Sequence, residues 1–240
     1  WKGFTFAQYG ALFRDGVLLP LLANSVIVAV IASLVATVLG TMAAIGIRAM
    51  SGRMRRITMA VTNIPLTNPE IVTGVSLALL FAFAGQMMKL NNVLGFTTLL
   101  IAHITFNLPY VILSVMPKLG QLDPNLLDAA LDLGCTPVQA FFKVIIHEIM
   151  PGILSGVVLA IGRIVGETAA LLFTAGTVAD MPKHFLLSSG RTLAVHMYQL
   201  SLEGLHYDQA YATGVVLLLL VLGLNSLSSL ISRKIGGKAS

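Results

Sequence analysis

Five long apolar stretches dominate this chain and constrain its fold more than any other feature. The clearest of them, residues 24–47, contains no charged side chain. An α-helix rises about 1.5 Å per residue, so about 20 apolar residues cross a hydrocarbon core of about 30 Å. The chain is 56% hydrophobic and 10% charged, whereas a typical soluble domain has about 25% charged residues. We therefore predict an all-α membrane protein with one transmembrane domain over residues 1–240, with spans at about 24–47, 57–84, 97–116, 148–175 and 209–232.

Basic residues beside these stretches indicate the orientation of the chain. Four arginines lie within residues 48–56, between the first two stretches, and three more basic residues lie within 233–238. Lys and Arg are enriched in cytoplasmic loops. We therefore expect a multi-pass membrane protein with a cytoplasmic C-terminus. The same clustering accounts for the net charge of +5 without nucleic-acid binding.

The second stretch, residues 57–84, contains helix-breaking residues. Pro65 and Pro69 each remove a backbone donor, and each disfavours helical geometry in the residue before it. We expect this span to break or kink at Pro65 and at Asn68-Pro69-Glu70. Broken helices at membrane depth face protein or a water-filled path, and Glu70 lies at this break. Glu70 is therefore either a residue of a solute pathway or a structural acid.

The segment of residues 117–147 carries helix signals of its own. Asp123 is a candidate N-cap, and Gly134 suits the left-handed turn that ends a helix. Thr136 and Pro137 repeat the start signal at once. We predict two short capped helices joined by a tight turn on the cytoplasmic side.

The same segment resembles the EAA loop of ABC-importer permeases. The matching residues are Asp128, Ala129 and Ala130, then Gly134, then the apolar Val144. In that family the loop forms coupling helices that sit in a cleft of a cytoplasmic ATPase. The resemblance implies the transmembrane domain of a type I ABC importer in the bacterial inner membrane. Such a domain works with cytoplasmic ATP-binding subunits, a second permease subunit and an extracytoplasmic solute-binding protein. Asp128 replaces the usual Glu but keeps its charge, and an ordinary amphipathic loop is the alternative.

A pair of opposite charges, Arg163 and Glu167, lies within the fourth stretch. An ionised side chain near the bilayer centre costs at least about 2.5–3.5 kcal/mol on insertion scales. The two residues are four apart, so they share one helix face. The pair is either a structural ion pair that holds helices together or a solute site in which Arg163 binds an oxyanion. We take both residues, with Thr168 and Glu70, as candidate pathway residues.

Resemblances to two branches of the family give conflicting indications of the substrate. Residues 162–176, which begin G-R-I-V-G-E-T, and residues 209–213, Q-A-Y-A-T, are similar to phosphate-importer permeases. Residues 1–153, which include N-I-P-L-T-N-P-E at 63–70, resemble spermidine and putrescine permeases. Because Arg163 would repel a polycation, we expect phosphate as the substrate ahead of a polyamine.

The sequence lacks the motifs of an ATPase or of a membrane enzyme. It contains no G-x-x-x-x-G-K-[ST], H-E-x-x-H or G-x-S-x-G. We therefore expect a partner to hydrolyse ATP, and no metal or cofactor in this chain. A secondary transporter or channel is the remaining alternative, and the coupling loop argues against it. Similar permeases carry a further apolar helix before a segment like Trp1–Phe4, so we expect one to precede this chain.

Overall fold

The computed structural model describes residues 7–14, 16–89, 94–167, 192–202 and 206–236. Every regular element in these residues is helical. The elements are α1 (Ala7–Arg14), α2 (Leu18–Ala49), α3 (Gly52–Thr67), α4 (Glu70–Met87), α5 (Phe96–Gln121), α6 (Leu126–Asp132), α7 (Pro137–Ala140), a π-helical turn (Phe141–Ile145), α8 (Ile146–Gly166), α9 (Leu193–Leu202) and α10 (Tyr207–Gly236).

Five helical segments in the described residues are long and apolar enough to cross a membrane. They correspond in order to the five predicted stretches, so the predicted fold class is confirmed. The first and third helices run past the predicted bounds because flanking leucines, Leu18 and Leu119, are also buried. The five segments are Leu18–Ala49, Glu70–Met87, Phe96–Gln121, Pro137–Gly166 and Tyr207–Ser232.

The second apolar stretch forms two helices. Asn68 and Pro69 separate α3 from α4, and both residues have extended conformations. Pro69 excludes helical geometry at Asn68, whereas Pro65 lies inside α3. The apolar span therefore begins at α4 rather than at residue 57.

The fourth apolar helix begins and ends earlier than the predicted range 148–175. The helix α7, the π-helical turn and α8 run continuously from Pro137 to Gly166. Residues 168–175 lie outside the described residues. Arg163 therefore lies in the last turn of α8 rather than in the middle of a span. Because α5 extends to Gln121, the connection between the two long helices is shorter than the predicted loop 117–147.

The predicted turn after the first loop helix is present. Gly134 has φ +86, in the left-handed region that glycine adopts at little cost. Its N–H donates to the Leu131 carbonyl at 2.9 Å, and the Cys135 N–H donates to the Ala130 carbonyl at 3.1 Å. This pair of bonds is the Schellman motif, which satisfies the last carbonyls of α6.

Of the two helix starts predicted in this loop, one is at the predicted residue and the other is not. Thr136 caps α7 as predicted, since its Oγ1 accepts from the Gln139 N–H at 3.3 Å. Asp123, however, is not the N-cap of α6, which is Asn125. The Asp123 carboxylate accepts from the Asn125 N–H at 2.9 Å, forming a turn before the helix begins.

The core forms where α2, α5 and α8 pack on one another. Glycines bring these helices close: a Cβ on Gly40 of α2 would lie 2.7 Å from Val111 of α5. On α8, a Cβ on Gly152 would lie 2.9 Å from the Ser114 carbonyl oxygen of α5. By contrast, α4 packs lightly on α5, and only 11% of its apolar window is buried. Close glycine contacts of this kind are how helices associate where no hydrophobic effect drives them together.

We expect Gly40→Ala to destabilise the packing of α2 on α5. The new methyl group would meet the Cβ and Cγ1 of Val111, a fully buried side chain that cannot move aside freely. Overpacking of this kind costs about 1–3 kcal/mol. Thermal unfolding in detergent, followed by loss of the monodisperse elution peak, would measure the effect.

Gly46→Ala is the matched control, because Gly46 lies on the same helix and a Cβ there meets nothing within 4 Å. Equal melting temperatures for the two variants would contradict the packing described here.

Candidate functional site

Three charged residues from distant parts of the chain form one cluster. Nη2 of Arg163 donates to Oε1 of Glu70, 93 residues away in sequence. The same nitrogen lies 3.4 Å from Oε2 of Glu167. These are the two ion pairs that the described residues contain. The cluster therefore joins the start of α4 to the end of α8.

The backbone of both helices suits these charges. Glu70 is the first residue of α4, which begins directly after the break at Asn68 and Pro69. Arg163 lies in the last turn of α8, and Glu167 is the residue at its C-cap. A helix macrodipole favours an anion at its start and a cation in its last turn, so the positions of Glu70 and Arg163 are each favourable.

The aromatic ring of Tyr110, on α5, contacts the Arg163 side chain of the cluster. The Arg163 guanidinium carbon lies 4.5 Å from the centre of the Tyr110 ring, a distance at which a cation is attracted to an aromatic face. Tyr110 lies near the middle of the helix Phe96–Gln121, about 21 Å from one end and about 16 Å from the other at about 1.5 Å per residue. The charged cluster therefore lies beside the middle of α5.

The two carboxylates of the cluster differ in exposure. The Glu167 side chain is 5% exposed, whereas Glu70 is 43% exposed and Arg163 21%. The charge of Arg163 is thus offset from both sides, and its Nε has no acceptor among the described residues. Glu70 presents the accessible face of the site.

Sequence analysis identified three of the four residues here but not how they are arranged. Arg163 and Glu167 are near each other, as their spacing predicts, but the partner of Arg163 that the structure adds is Glu70. Thr168 lies outside the described residues. Tyr110 was missed, because no motif in one helix reveals which ring a cation of another helix will contact.

The candidate coupling residues occupy different environments on the loop. Asp128 and Ala129 are exposed, Gly134 is exposed at the turn, and Val144 is half-buried in the π-helical turn. Ala130 is 6% exposed, so it packs inside the loop. The apolar side chains that do face outwards are Leu127, Leu131, Leu133, Val138 and Phe142.

Metal coordination finds no support in the described ranges. They contain no group of three or more His, Cys, Asp or Glu side chains placed to hold an ion.

The sequence is similar to known membrane proteins along most of its length. Residues 36–237 match the family described as binding-protein-dependent transport system inner membrane component. The chain is 33% identical over 193 residues to the putrescine transport system permease protein PotI of Escherichia coli strain K12, covering 80% of this chain and 68% of that protein. It is 31% identical over 234 residues to the spermidine/putrescine transport system permease protein PotC of Haemophilus influenzae, covering 98% and 84% respectively.

Solved structures share the fold at low sequence identity. A bacterial alginate ABC transporter, in complex with a periplasmic protein that holds an alginate pentasaccharide, matches with TM-score 0.74 and 17% identity. That match covers 97% of this chain and 84% of the other chain. The MetNI methionine ABC transporter in an inward-facing conformation matches with TM-score 0.71 and 17% identity over 92% of this chain and 97% of that chain.

Proposed function

The chain belongs to the family of binding-protein-dependent transport system inner membrane components, and from this membership we propose that it is the permease subunit of an ATP-driven polyamine importer. Membrane transport is the activity of the family. The polyamine substrate, the ATP-driven mechanism and the roles of individual residues belong to the proposal.

The expectation that phosphate is the substrate ahead of a polyamine is not supported. The relatives reported above are named for putrescine and spermidine, and the similarity to PotC extends over 234 residues, which include the late helices that resemble phosphate permeases. The electrostatic argument for phosphate also fails. It held that Arg163 would repel a polycation, whereas in the structure a second carboxylate, that of Glu70, pairs with Arg163 in addition to Glu167.

The observation that carries the polyamine proposal is the half-exposed carboxylate of Glu70 beside Arg163 and Tyr110. A polyamine enters as a chain of ammonium groups, each of which needs an acceptor or an aromatic face when it leaves water. Glu70 offers such an acceptor beside Arg163, and the Glu167 carboxylate approaches the same nitrogen of Arg163. Phosphate would instead meet a cluster in which two carboxylates, Glu70 and Glu167, stand beside the single cation Arg163.

The loop helices α6 and α7 are the proposed contact with a cytoplasmic ATPase. Several of the outward side chains on and beside these helices are apolar, although the loop lies at the end of the spans rather than within them. Exposed apolar patches of this kind mark protein interaction sites. In the proposed mechanism, ATP binding closes two ATPase subunits, the loop transmits this motion, and the spans of two permease subunits reorient around a solute that an extracytoplasmic binding protein delivers.

Solute-stimulated ATP hydrolysis tests the proposed function. The chain would be reconstituted in proteoliposomes with its ATPase and permease partners, and the binding protein would be supplied loaded with putrescine, spermidine or phosphate. We expect stimulation by the polyamines. Stimulation by phosphate alone, or by none of the three, would refute the proposal.

We expect Glu70→Gln to lower polyamine uptake by at least about tenfold. The change keeps the shape of the side chain but removes the charge, and a hydrogen bond to a charged group contributes about 1.5–3 kcal/mol. Uptake of labelled putrescine into the same proteoliposomes measures the effect.

Glu148→Gln is the control for Glu70→Gln, because it removes a carboxylate from the opposite end of α8, away from the cluster. Uptake by Glu70→Gln equal to that of Glu148→Gln would show that Glu70 takes no part in the pathway.

A further inference from the structure

A groove leads away from the charged cluster between α5, α8 and α10. Its upper part is a cavity of about 640 Å³ that begins at Arg163 and Tyr110. A second cavity of about 440 Å³ continues it and shares three lining residues, Val158, Leu159 and Ser229. The two cavities therefore form one continuous path along the helices.

Polar residues follow this groove at helical spacing. On α10 the lining residues are Asn225, Ser229 and Ser232, which lie at positions i, i+4 and i+7 and so share one face. Ser155 of α8 and Ser114 of α5 line the lower cavity. Seven residues of helix rise about 10 Å, so the groove extends about that far from the level of Asn225.

Three of the four serine hydroxyls that line the groove are not used by the helices that carry them. Serines in apolar helices usually donate to a carbonyl one turn back, as Ser76 and Ser114 do here at 2.8 Å. Ser155, Ser229 and Ser232 make no hydrogen bond with any residue that the structure describes. Three hydroxyls therefore remain available to a ligand in a largely apolar region.

Asn225 adds an amide without a partner at the upper end of the groove. Its Oδ1 has no donor among the described residues and lies 2.8 Å from the position that a Cβ on Gly162 would occupy. The absence of a side chain at Gly162 is therefore what makes room for this amide. Rotation about the last side-chain bond exchanges the oxygen and nitrogen, so the amide can turn an acceptor towards the cavity.

We infer that this groove is a second subsite, which holds one ammonium group of a linear polyamine while another ammonium group lies at Glu70. The inference rests on the proposed function and adds to it that the permease itself distinguishes polyamines by length. The oxygens of Asn225 and Ser229 accept from the ammonium group, and Val158 and Leu159 contact the methylene chain between the charged ends. An amine too short to span from Glu70 to Ser229 gains nothing from the groove.

A diamine series tests the subsite. ATP hydrolysis and uptake would be measured in proteoliposomes that contain the partner subunits, with α,ω-diamines of three to eight methylene groups and with spermidine. The same binding protein serves every variant, so a changed preference arises in the permease. For the unaltered chain we expect activity to rise with length.

The variants Asn225→Leu and Ser229→Ala remove the acceptors while keeping side chains of similar volume. We expect each to lower the activity with long diamines and spermidine by about tenfold, which is about 1.4 kcal/mol, and to leave that with the shortest diamine within about twofold. Ser228→Ala is the matched control, because Ser228 is on the same helix but lines neither cavity. It should retain the length dependence of the unaltered chain.

The possible outcomes separate the subsite from the proposed function. If both groove variants keep the original length dependence while Glu70→Gln abolishes polyamine uptake, the subsite is refuted and the polyamine function stands. If the unaltered chain shows no response to any amine, the function falls and the subsite with it. If a groove variant is poorly expressed, the ratio of long to short diamine activity per folded transporter still decides, because misfolding lowers both activities equally.

Discussion

Arg163→Met is expected to abolish transport and to lower the yield of folded protein sharply. Arg163 is the only cation that pairs with Glu70 and Glu167 among the described residues, and it joins α4 to α8. Its removal leaves two carboxylates near each other, one of them 5% exposed. Removing the cation is destabilising, because the two carboxylates then repel each other without the positive charge that lay between them. Size-exclusion elution and the melting temperature in detergent measure the loss.

A triple variant separates the structural contribution of the cluster from its contribution to transport. Replacing Glu70 and Glu167 by Gln together with Arg163→Met removes all three charges at similar side-chain volume. We expect the triple variant to recover most of the stability lost in Arg163→Met, and to remain inactive in polyamine uptake. Recovery of uptake would show that the cluster only holds helices together. Normal stability of Arg163→Met alone would contradict the pairing itself.

The second large effect is expected at the loop surface, with Leu133→Asp. Leu133 is 87% exposed, so the substitution leaves the interior of the loop unchanged. In the proposed complex this side chain enters the cleft of an ATPase, where a carboxylate would lose its hydration. We expect the variant to fold normally, with solute-driven ATP hydrolysis and polyamine uptake reduced more than tenfold.

Leu133→Met is the matched control, because it preserves an apolar side chain of similar volume at the same position. Co-purification of the ATPase subunits with each variant shows whether the contact itself is lost. If Leu133→Asp binds and activates the ATPase as the unaltered chain does, the loop does not couple the two subunits through this residue.

Composition and local signals were sufficient to predict the architecture of this protein. A long uncharged stretch such as residues 24–47 has few alternatives to a membrane helix, because lipid leaves no partner for a backbone polar group outside a helix. The break at Asn68 and Pro69 and the left-handed turn at Gly134 follow from the covalent structure of single residues, so they too were predictable. The helix start at Asp123 was misplaced by two residues, since Asp and Asn are both good caps.

Only the tertiary structure decided which charged side chains form ion pairs, and therefore whether Arg163 is neutralised. Arg163 has the same spacing to Glu167 whether it binds an oxyanion or is already neutralised, and the sequence gives no measure of its distance to Glu70. That distance depends on where α4, which packs lightly on α5, lies relative to the end of α8. The tertiary structure also showed that Ala130 is buried inside the loop, whereas Leu133 faces outwards. Local sequence thus determined the helices and their main breaks, whereas contacts between distant residues determined how the charges of the cluster offset one another.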